Sequence, residues 1–263
     1  MNKDMLQTEI KDGVATIRMN RPDVHNAFDD ALIAALTAEL RRMEQLPEAR
    51  AIVLAANGKS FSAGADLNWM RRMAKYSKEE NLSDAMALAG LMRCLDGLKK
   101  PTVARVQGAA FGGGVGLVAC CDIAIASTEA AFSLSEVRLG LIPSVISPYV
   151  IAAIGEREAR RYFLTAERFD AVEARRIGLV HDVVDSGALD EAVAKIAGLL
   201  LKGGPQALAA AKRLIADVSR RSMDDALSAE TARRIAAIRV GSEGQEGLAA
   251  FFEKRAPAWT KKN

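Results

Sequence analysis

Two stretches of small residues could place backbone N–H groups around a ligand. They are Ser62-Ala63-Gly64-Ala65-Asp66-Leu67 and Gly112-Gly113-Gly114-Val115-Gly116. Each follows an apolar, strand-like run and opens a helical pattern, and the first N–H groups of a helix have no partner inside it. Glycine and alanine let a ligand approach such donors closely, at the positive end of the helix dipole. Two converging starts would form an oxyanion hole, whereas either one alone is better explained by helix capping or close packing.

The second stretch also fits a dinucleotide-binding pattern. Residues 114–119 match G-x-G-x-x-A, and Glu136 stands where a ribose-binding acid would be. However, Cys121-Asp122-Ile123-Ala124-Ile125 predicts a new strand soon afterwards. A dinucleotide crossover needs a longer helix, so this pattern is weak evidence for a nucleotide site.

The apolar periodicity predicts the elements that position these stretches. Alternation around Asp12-Gly13 predicts a β-hairpin, and apolar residues at helical spacing predict helices over residues 29–46 and 76–97. Buried strands are predicted over residues 49–58, 101–110 and 122–127. This alternation indicates an α/β fold with parallel strands and crossover helices. Helical patterns resume from about Gly155, and from Gly203-Gly204-Pro205 they run almost to the end. We therefore divide the chain into residues 1–203 and 204–263.

Composition excludes several functional classes. The 263 residues carry a formal charge of +3, with basic and acidic residues interleaved, which does not indicate a nucleic-acid surface. The three cysteines, Cys94, Cys120 and Cys121, form neither a disulfide framework nor a metal-ligand pattern, so no metal is expected. The two histidines, His25 and His181, lie outside any nucleophile-elbow context, which argues against Ser-His or Cys-His catalysis. A polar N-terminus and the absence of long apolar runs predict a cytoplasmic protein that does not bind membranes.

Several sequence motifs, taken together and in their order along the chain, resemble those of the crotonase (enoyl-CoA hydratase/isomerase) superfamily. They are FSAGADL, QGAAFGGGVGL, CDIAIAS, SEVRLGLIP and EGLAAFFEKRAPAW. The resemblance covers nearly the whole chain. Longer sequence segments, such as GAAFGGGVGLVACCDIAIA and LSEVRLGLIPSVISPYV, are similar to those of bacterial methylglutaconyl-CoA hydratases of leucine and isovalerate breakdown.

This resemblance implies a fold and an activity. The fold is a crotonase-like α/β fold of repeated ββα units, with a helical C-terminal oligomerisation region and a homotrimeric or homohexameric assembly. The activity is that of a lyase that hydrates an α,β-unsaturated acyl-CoA, with 3-methylglutaconyl-CoA giving 3-hydroxy-3-methylglutaryl-CoA. The partner is then an acyl-CoA substrate, and no cofactor is expected beyond its coenzyme A moiety.

The resemblance also implies catalytic positions. Ala65 and Gly113 correspond to the residues whose N–H groups hold the thioester carbonyl oxygen. Typical hydratases add two glutamates, of which only one is present here, as Glu136 within Leu134-Ser135-Glu136-Val137. The other position is occupied by Gly116, so we expect Glu136 to act as the general base and proton carrier alone.

Further positions are expected to contact the substrate. The RPDVHNAF loop resembles the family segment along the CoA pantetheine, and Arg71, Arg72 and Lys75 are candidates for pairing with a distal carboxylate. Asp66 is expected mainly to cap or orient the following helix, and Trp69 to line the acyl pocket or the core. The full set of predicted substrate-binding residues is Val24, Ala27, Ala63, Asp66, Leu67, Trp69, Gly116, Phe251 and Lys254.

Two other functions are considered. Double-bond isomerisation needs one base that moves a proton between carbons, which suits Glu136 without a partner acid. RNA binding occurs in some relatives through a lysine-rich helix, but here residues 69–80 mix Arg and Lys with Glu, and the overall charge is small. No nucleic-acid partner is therefore expected.

Overall fold

The chain begins with a β-hairpin, as the alternation around Asp12-Gly13 predicts. In this computed structural model, which describes residues 5–219 and 221–260, strand β1 (Leu6–Lys11) pairs antiparallel with β2 (Val14–Met19). Both turn residues have positive φ, 49° at Asp12 and 84° at Gly13, which is the conformation that an Asp-Gly hairpin turn favours. Every second residue of β2 is buried, so one face of the hairpin joins the core.

The other elements alternate between strand and helix over most of the chain. The strands are β3 (Ala51–Ala56), β4 (Ser60–Ser62), β5 (Thr102–Val106), β6 (Ala109–Phe111), β7 (Ile123–Ser127), β8 (Ala131–Ser133), β9 (Phe169–Asp170) and β10 (Asp182–Val184). The helices are α1 (Asp30–Gln45), α2 (Leu67–Met73), α3 (Lys78–Asp96), α4 (Gly113–Cys120), α5 (Ser147–Thr165), α6 (Ala171–Arg176), α7 (Leu189–Leu200), α8 (Pro205–Val218), α9 (Asp225–Val240) and α10 (Ser242–Phe252). Among the described residues, no helix combines the length and the apolar character needed to cross a bilayer.

The described residues form a larger sheet of six strands in the order β1-β2-β3-β5-β7-β10, parallel from β2 onward. Its central strand β3 is buried at every position, as expected where both faces of a parallel sheet are covered. Ile52 and Leu54 belong to the main core. Val53 and Ala55 point to the other face of the sheet, where they pack in one cluster with Val193 of α7. The sheet is thus the middle layer between two sets of helices.

A smaller sheet in the described residues has the order β4-β6-β8-β9. Strands β4, β6 and β8 are parallel, and β9 closes the edge antiparallel to β8. The chain repeats a unit in which one strand enters the large sheet, the next enters the small sheet, and a helix follows: β3-β4-α2, β5-β6-α4 and β7-β8-α5. Each repeat therefore delivers one chain segment to the same edge of the small sheet.

The residues after Gly204 form α8, α9 and α10. Lys212 on α8 donates to Asp122 Oδ2 at 2.8 Å, and Asp122 also accepts from the N–H and hydroxyl of Thr102 on β5. Arg50 donates to the carbonyl oxygens of Leu201, Gly203 and Trp259 at 2.6–2.9 Å. These bonds attach the C-terminal helices to the large sheet. The division between residues 203 and 204 into two regions stays a prediction.

The structure corrects the sequence-based elements in the middle of the chain. Helix α5 begins at Ser147, not near Gly155, and Gly155 lies inside it at a kink with φ 76° and ψ 161°. Strands β8, β9 and β10 are two or three residues long. Runs this short carry too few residues for a period to be visible.

Candidate functional site

Neighbouring parallel strands of the small sheet end at a common edge, and each leads into one segment of the candidate site. Strand β4 leads to Ala63-Gly64-Ala65, β6 leads to Gly112-Gly113, and β8 leads to Glu136. The ladder continues past the strands, because the Gly112 N–H donates to Ser133 O at 2.9 Å. The carboxyl ends of parallel strands are a common position for ligand sites in α/β folds.

The backbone around Ala65 directs its N–H away from the neighbouring loop. Phe28 and Ala65 form an isolated parallel bridge, in which Phe28 N–H donates to Gly64 O and Asp66 N–H donates to Phe28 O, each at 2.7 Å. In such a bridge the N–H of the central residue points to the opposite side. Within the described chain the Ala65 N–H has no protein acceptor, and Ala65 is exposed.

Gly113 supplies the second candidate donor. It is the first residue of α4, and no side chain caps this helix start. Its N–H has no protein acceptor among the described residues. The Phe28 ring packs against Gly113, since a Cβ there would lie 3.1 Å from Phe28 Cε2. The same Phe28 therefore contacts both candidate donor segments.

Two glycines bring the donor segments into contact. Gly64 has φ 92° and Gly112 has φ 49°, values that L side chains rarely adopt. A Cβ on Gly64 would lie 3.3 Å from Phe111 O, and one on Gly112 would lie 4.0 Å from Gly64 Cα. Larger residues would hold the two segments apart.

The Glu136 carboxyl lies beside this pair. A Cβ on Gly112 would be 3.1 Å from Glu136 Oε1, and Oε2 is buried without a hydrogen-bond partner in the described chain. Burial raises the pKa of Glu136 above the 4.5 of an ordinary glutamate, because a carboxylate loses hydration there. A carboxyl in this state can exchange a proton with a bound molecule.

Position 116 is closed. Gly116 is buried, and a Cβ there would lie 2.3 Å from Ile146 Cγ2 and 3.2 Å from Met92 Cε. This residue was predicted to border the substrate, but Ile146 and Met92 cover it. Position 116 is therefore surrounded by apolar packing and not by an open space.

Asp66 caps α2, as predicted. Its Oδ1 accepts from the N–H groups of Asn68 and Trp69 at 2.8 and 3.1 Å. Its Oδ2 lies 3.7 Å from Arg21, which also pairs with Asp29 Oδ2 at 2.8 Å. Asp29 caps α1 by accepting from Leu32 N–H at 2.8 Å. Arg21 thus joins the first turns of two helices directly beside Ala65.

The loop over residues 21–28 runs along β4 and the first donor segment. Ala63 N–H donates to His25 O at 3.0 Å, and the buried Asn26 side chain donates to Ser60 O at 2.9 Å. Val24 is 40% exposed and Ala27 is 6% exposed, while Leu67 at the start of α2 is 70% exposed. The predicted substrate-binding residues Val24, Ala27, Ala63, Asp66 and Leu67 therefore lie together on one side of the site.

Other predicted residues lie elsewhere. Trp69 is in the core, and its indole N–H donates to Asp84 Oδ1 at 3.0 Å. Phe251 and Lys254 are exposed at the end of α10, which packs mainly against α8 and α9. Within this chain they do not join the strand ends. His181 is structural, since its Nδ1 accepts from Ala124 N–H at 3.1 Å.

Sequence reasoning missed Arg21 and Ile146. Arg21 was noted only within its loop, although an arginine shortly before Asp29, which opens a helical pattern, is a usable signal. Its approach to the distant Asp66 has no local signal. Ile146 carries no signal, because an isoleucine in an apolar stretch says nothing about which glycine it covers.

Similarity to known proteins agrees with this architecture. The enoyl-CoA hydratase/isomerase family model matches residues 9–262. A provisionally named enoyl-CoA hydratase of Thermus thermophilus is 35% identical over 254 residues, covering 96% of this chain and 99% of that protein. The 2,3-dehydroadipyl-CoA hydratase of Escherichia coli is 33% identical, with 93% and 94% coverage. The crystal structure of an enoyl-CoA hydratase from Shewanella pealeana is 50% identical, has a TM-score of 0.96 and is matched over 98% of this chain and 97% of that chain.

These matches define the class of fold, which is the crotonase-like α/β fold that the sequence predicts. The family follows from the length of the matches and from the identity of the relatives. The chain belongs to the enoyl-CoA hydratase/isomerase family.

Proposed function

We propose that this protein binds an α,β-unsaturated acyl-CoA and adds water across the double bond. The observation that carries the proposal is the Glu136 carboxyl, with one oxygen against Gly112 and the other buried without a partner. In this proposal the N–H groups of Ala65 and Gly113 donate to the thioester carbonyl oxygen. They stabilise the negative charge that develops there in the enolate, which lowers the barrier to reaction at the α and β carbons.

Glu136 acts first as base and then as acid. Its carboxylate removes a proton from water while the water oxygen bonds to the β carbon, and the double-bond electrons move onto the thioester as an enolate. The enolate reforms the carbonyl when its α carbon takes a proton from the Glu136 carboxyl. One carboxyl suffices because it is regenerated. Burial favours the first step, since a raised pKa makes the Glu136 carboxylate a stronger base toward water.

The test is loss of enoyl-thioester absorbance when purified protein is mixed with crotonyl-CoA or 3-methylglutaconyl-CoA. We expect loss with at least one of them. A protein that consumes neither, while still binding coenzyme A, would contradict the proposal.

For the acyl group we propose 3-methylglutaconyl, hydrated to 3-hydroxy-3-methylglutaryl-CoA in leucine and isovalerate breakdown. The long sequence segments that resemble methylglutaconyl-CoA hydratases support this choice. In addition, the Escherichia coli relative is named for an acyl-CoA that also ends in a carboxylate. Arg72 is engaged with Asp30 at 2.5 Å, which leaves Arg71 and Lys75 as candidates to pair with the distal carboxylate. Measuring kcat/KM over enoyl-CoAs with and without a distal carboxylate tests the choice. Arg71→Gln and Lys75→Gln should lower kcat/KM only for the substrates that carry a distal carboxylate.

Double-bond isomerisation is the second candidate, and the closed position at Gly116 favours it. With a single carboxyl, Glu136 would remove a proton from one carbon of a 3-enoyl-CoA and return it to another. Incubation with a 3-enoyl-CoA separates the two functions. Appearance of the conjugated thioester without hydration of a 2-enoyl-CoA would replace the first proposal by this one.

The remaining contacts are proposed from the loop and from α10. The loop over residues 21–28 borders the pantetheine, and Phe251 and Lys254 reach coenzyme A from a neighbouring subunit of a trimer or hexamer. Phe251 and Phe252 are 77% and 75% exposed, which fits a helix end that another chain covers. No cofactor beyond coenzyme A takes part. Light scattering tests the assembly, and a monomeric mass would contradict it.

A further inference from the structure

Two glycines lie one turn apart at the start of α4. Gly112 precedes the first turn and Gly116 follows it, and Gly116 N–H donates to Gly112 O at 3.2 Å. Glu136 covers the first glycine and Ile146 covers the second. The catalytic carboxyl therefore packs before the first turn of α4, and the Ile146 side chain packs at the end of that turn.

A side chain at position 116 would point toward Glu136. Cα–Cβ bonds in a helix tilt toward its N-terminus, so a residue at 116 projects back over Gly112. One turn advances only about 5.4 Å, and a glutamate side chain spans that distance. An acid at position 116 would thus stand beside the Glu136 carboxyl if the space were open.

Ile146 closes that space, and its backbone holds it in place. A Cβ on Gly116 would lie 2.3 Å from Ile146 Cγ2 and 3.0 Å from Ile146 Cβ, distances that require movement. Ile146 is stiff because it is β-branched, is 3% exposed, and accepts at its carbonyl from Tyr149 and Val150 N–H. Met92 also lies nearby at 3.2 Å, but its flexible end can shift. The obstacle is therefore Ile146.

We propose that Ile146 is a specificity-determining residue that restricts this site to one carboxyl. It fills the volume in which a second acid on α4 would hold the water or share the proton with Glu136. This inference rests on the proposed function for its chemical meaning. Its steric part stands independently, because it concerns only Gly116 and Ile146.

The steric part is tested by melting temperatures, without substrate. Gly116→Ala should lower Tm by roughly 5 °C through overpacking. In an Ile146→Ala background the same substitution should cost no more than about 2 °C. Ile146→Val is the matched control, because valine keeps both branches at Cβ and should not relieve the cost. Equal costs in all three backgrounds would overturn the inference.

The chemical part compares Gly116→Glu/Ile146→Ala with Gly116→Gln/Ile146→Ala, which have nearly the same size and differ in the carboxyl. We expect the glutamate variant to hydrate crotonyl-CoA at least about tenfold faster, a fraction of what a positioned acid contributes. Their rates with a 3-enoyl-CoA should agree within about twofold. Equal hydration rates in two folded variants would overturn the role of Ile146 in specificity. A wild-type protein without activity on any enoyl-CoA would instead refute the proposed function and leave the melting result standing.

Discussion

The Glu136 carboxyl lies against the backbone of Gly112, so that a Cβ on Gly112 would be 3.1 Å from Oε1 and 3.8 Å from Cδ. This contact places the carboxyl at the N-terminus of α4, whose dipole favours a negative charge. Burial opposes this effect and is the larger influence, since the pKa of Glu136 is raised. The carboxyl is thus held near two backbone donors and remains easy to protonate.

Gly112→Ala should impair catalysis more than stability. The substitution introduces a Cβ at φ 49° and pushes it against Glu136, so we expect a loss of about 1–3 kcal/mol in unfolding free energy and a fall in kcat. The control is Gly155→Ala, where φ is 76° but a Cβ would meet nothing within 4 Å. Denaturant unfolding should show a loss in both variants, whereas steady-state kinetics should show the fall only in Gly112→Ala. Equal kcat values would contradict the importance of the contact.

Glu136→Gln should abolish turnover and leave coenzyme A binding largely unchanged. The amide keeps the size of the side chain but cannot accept and return a proton, so we expect kcat to fall by ~10²–10⁴. Glu129→Gln is the control, because Glu129 is an exposed glutamate just before β8. Calorimetric titration with coenzyme A checks that the site is intact. Activity of Glu136→Gln near the wild-type level would show that Glu136 is not the base.

Glu136 should also make stability depend on pH. The pKa of its carboxyl is higher in the folded than in the unfolded chain, so from near 4.5 up to the raised value the folded state binds more protons. The free energy of unfolding therefore falls as pH rises through this window and stays lowered above it. Glu136→Gln lacks this loss, and its Tm should exceed the wild-type Tm at neutral pH. Calorimetry of both proteins between about pH 4 and about pH 8 tests this, and a constant Tm difference would contradict it.

Much of the fold could be predicted because its signals are local. The Asp12-Gly13 hairpin, α1, α3 and strands β3, β5 and β7 each contain enough residues for a pattern to appear, and Asp66 caps α2 as its position predicts. The small sheet could not be predicted in full, since β8 and β9 are too short to show one. These strands are specified by pairing with distant residues.

The site could be predicted only in part for a similar reason. Small residues before helix starts indicate possible donors at Ala65 and Gly113, but the convergence of the two segments depends on the register of β4 and β6. Glu136 is an ordinary glutamate by composition and was selected through family resemblance alone. Position 116 is closed because Ile146, which is distant in sequence, packs against it, and no local pattern encodes that contact.

Arg21 should act as a positioning residue for the Ala65 N–H. It contacts Asp29 at 2.8 Å and Asp66 at 3.7 Å, and it donates to Ala27 O at 3.0 Å, with only 17% of its side chain exposed. Removing the guanidinium leaves two capping carboxylates facing each other next to Ala65. We therefore expect Arg21→Met to cost about 3 kcal/mol in unfolding free energy and to lower kcat more than it raises KM.

Arg72→Met is the matched control for this prediction, because Arg72 also links α2 to the start of α1, from the last turn of α2 to Asp30, but its side chain is 47% exposed. It should cost less than about 1 kcal/mol and leave kcat unchanged, since an exposed ion pair contributes little. Arg21→Lys should recover part of the stability but little of kcat, because an ammonium cannot hold both aspartates and the Ala27 carbonyl in one plane. Kinetics at a temperature where every variant is folded separates the two effects. If Arg21→Met loses stability but keeps its kcat there, Arg21 supports the fold and does not position the donor.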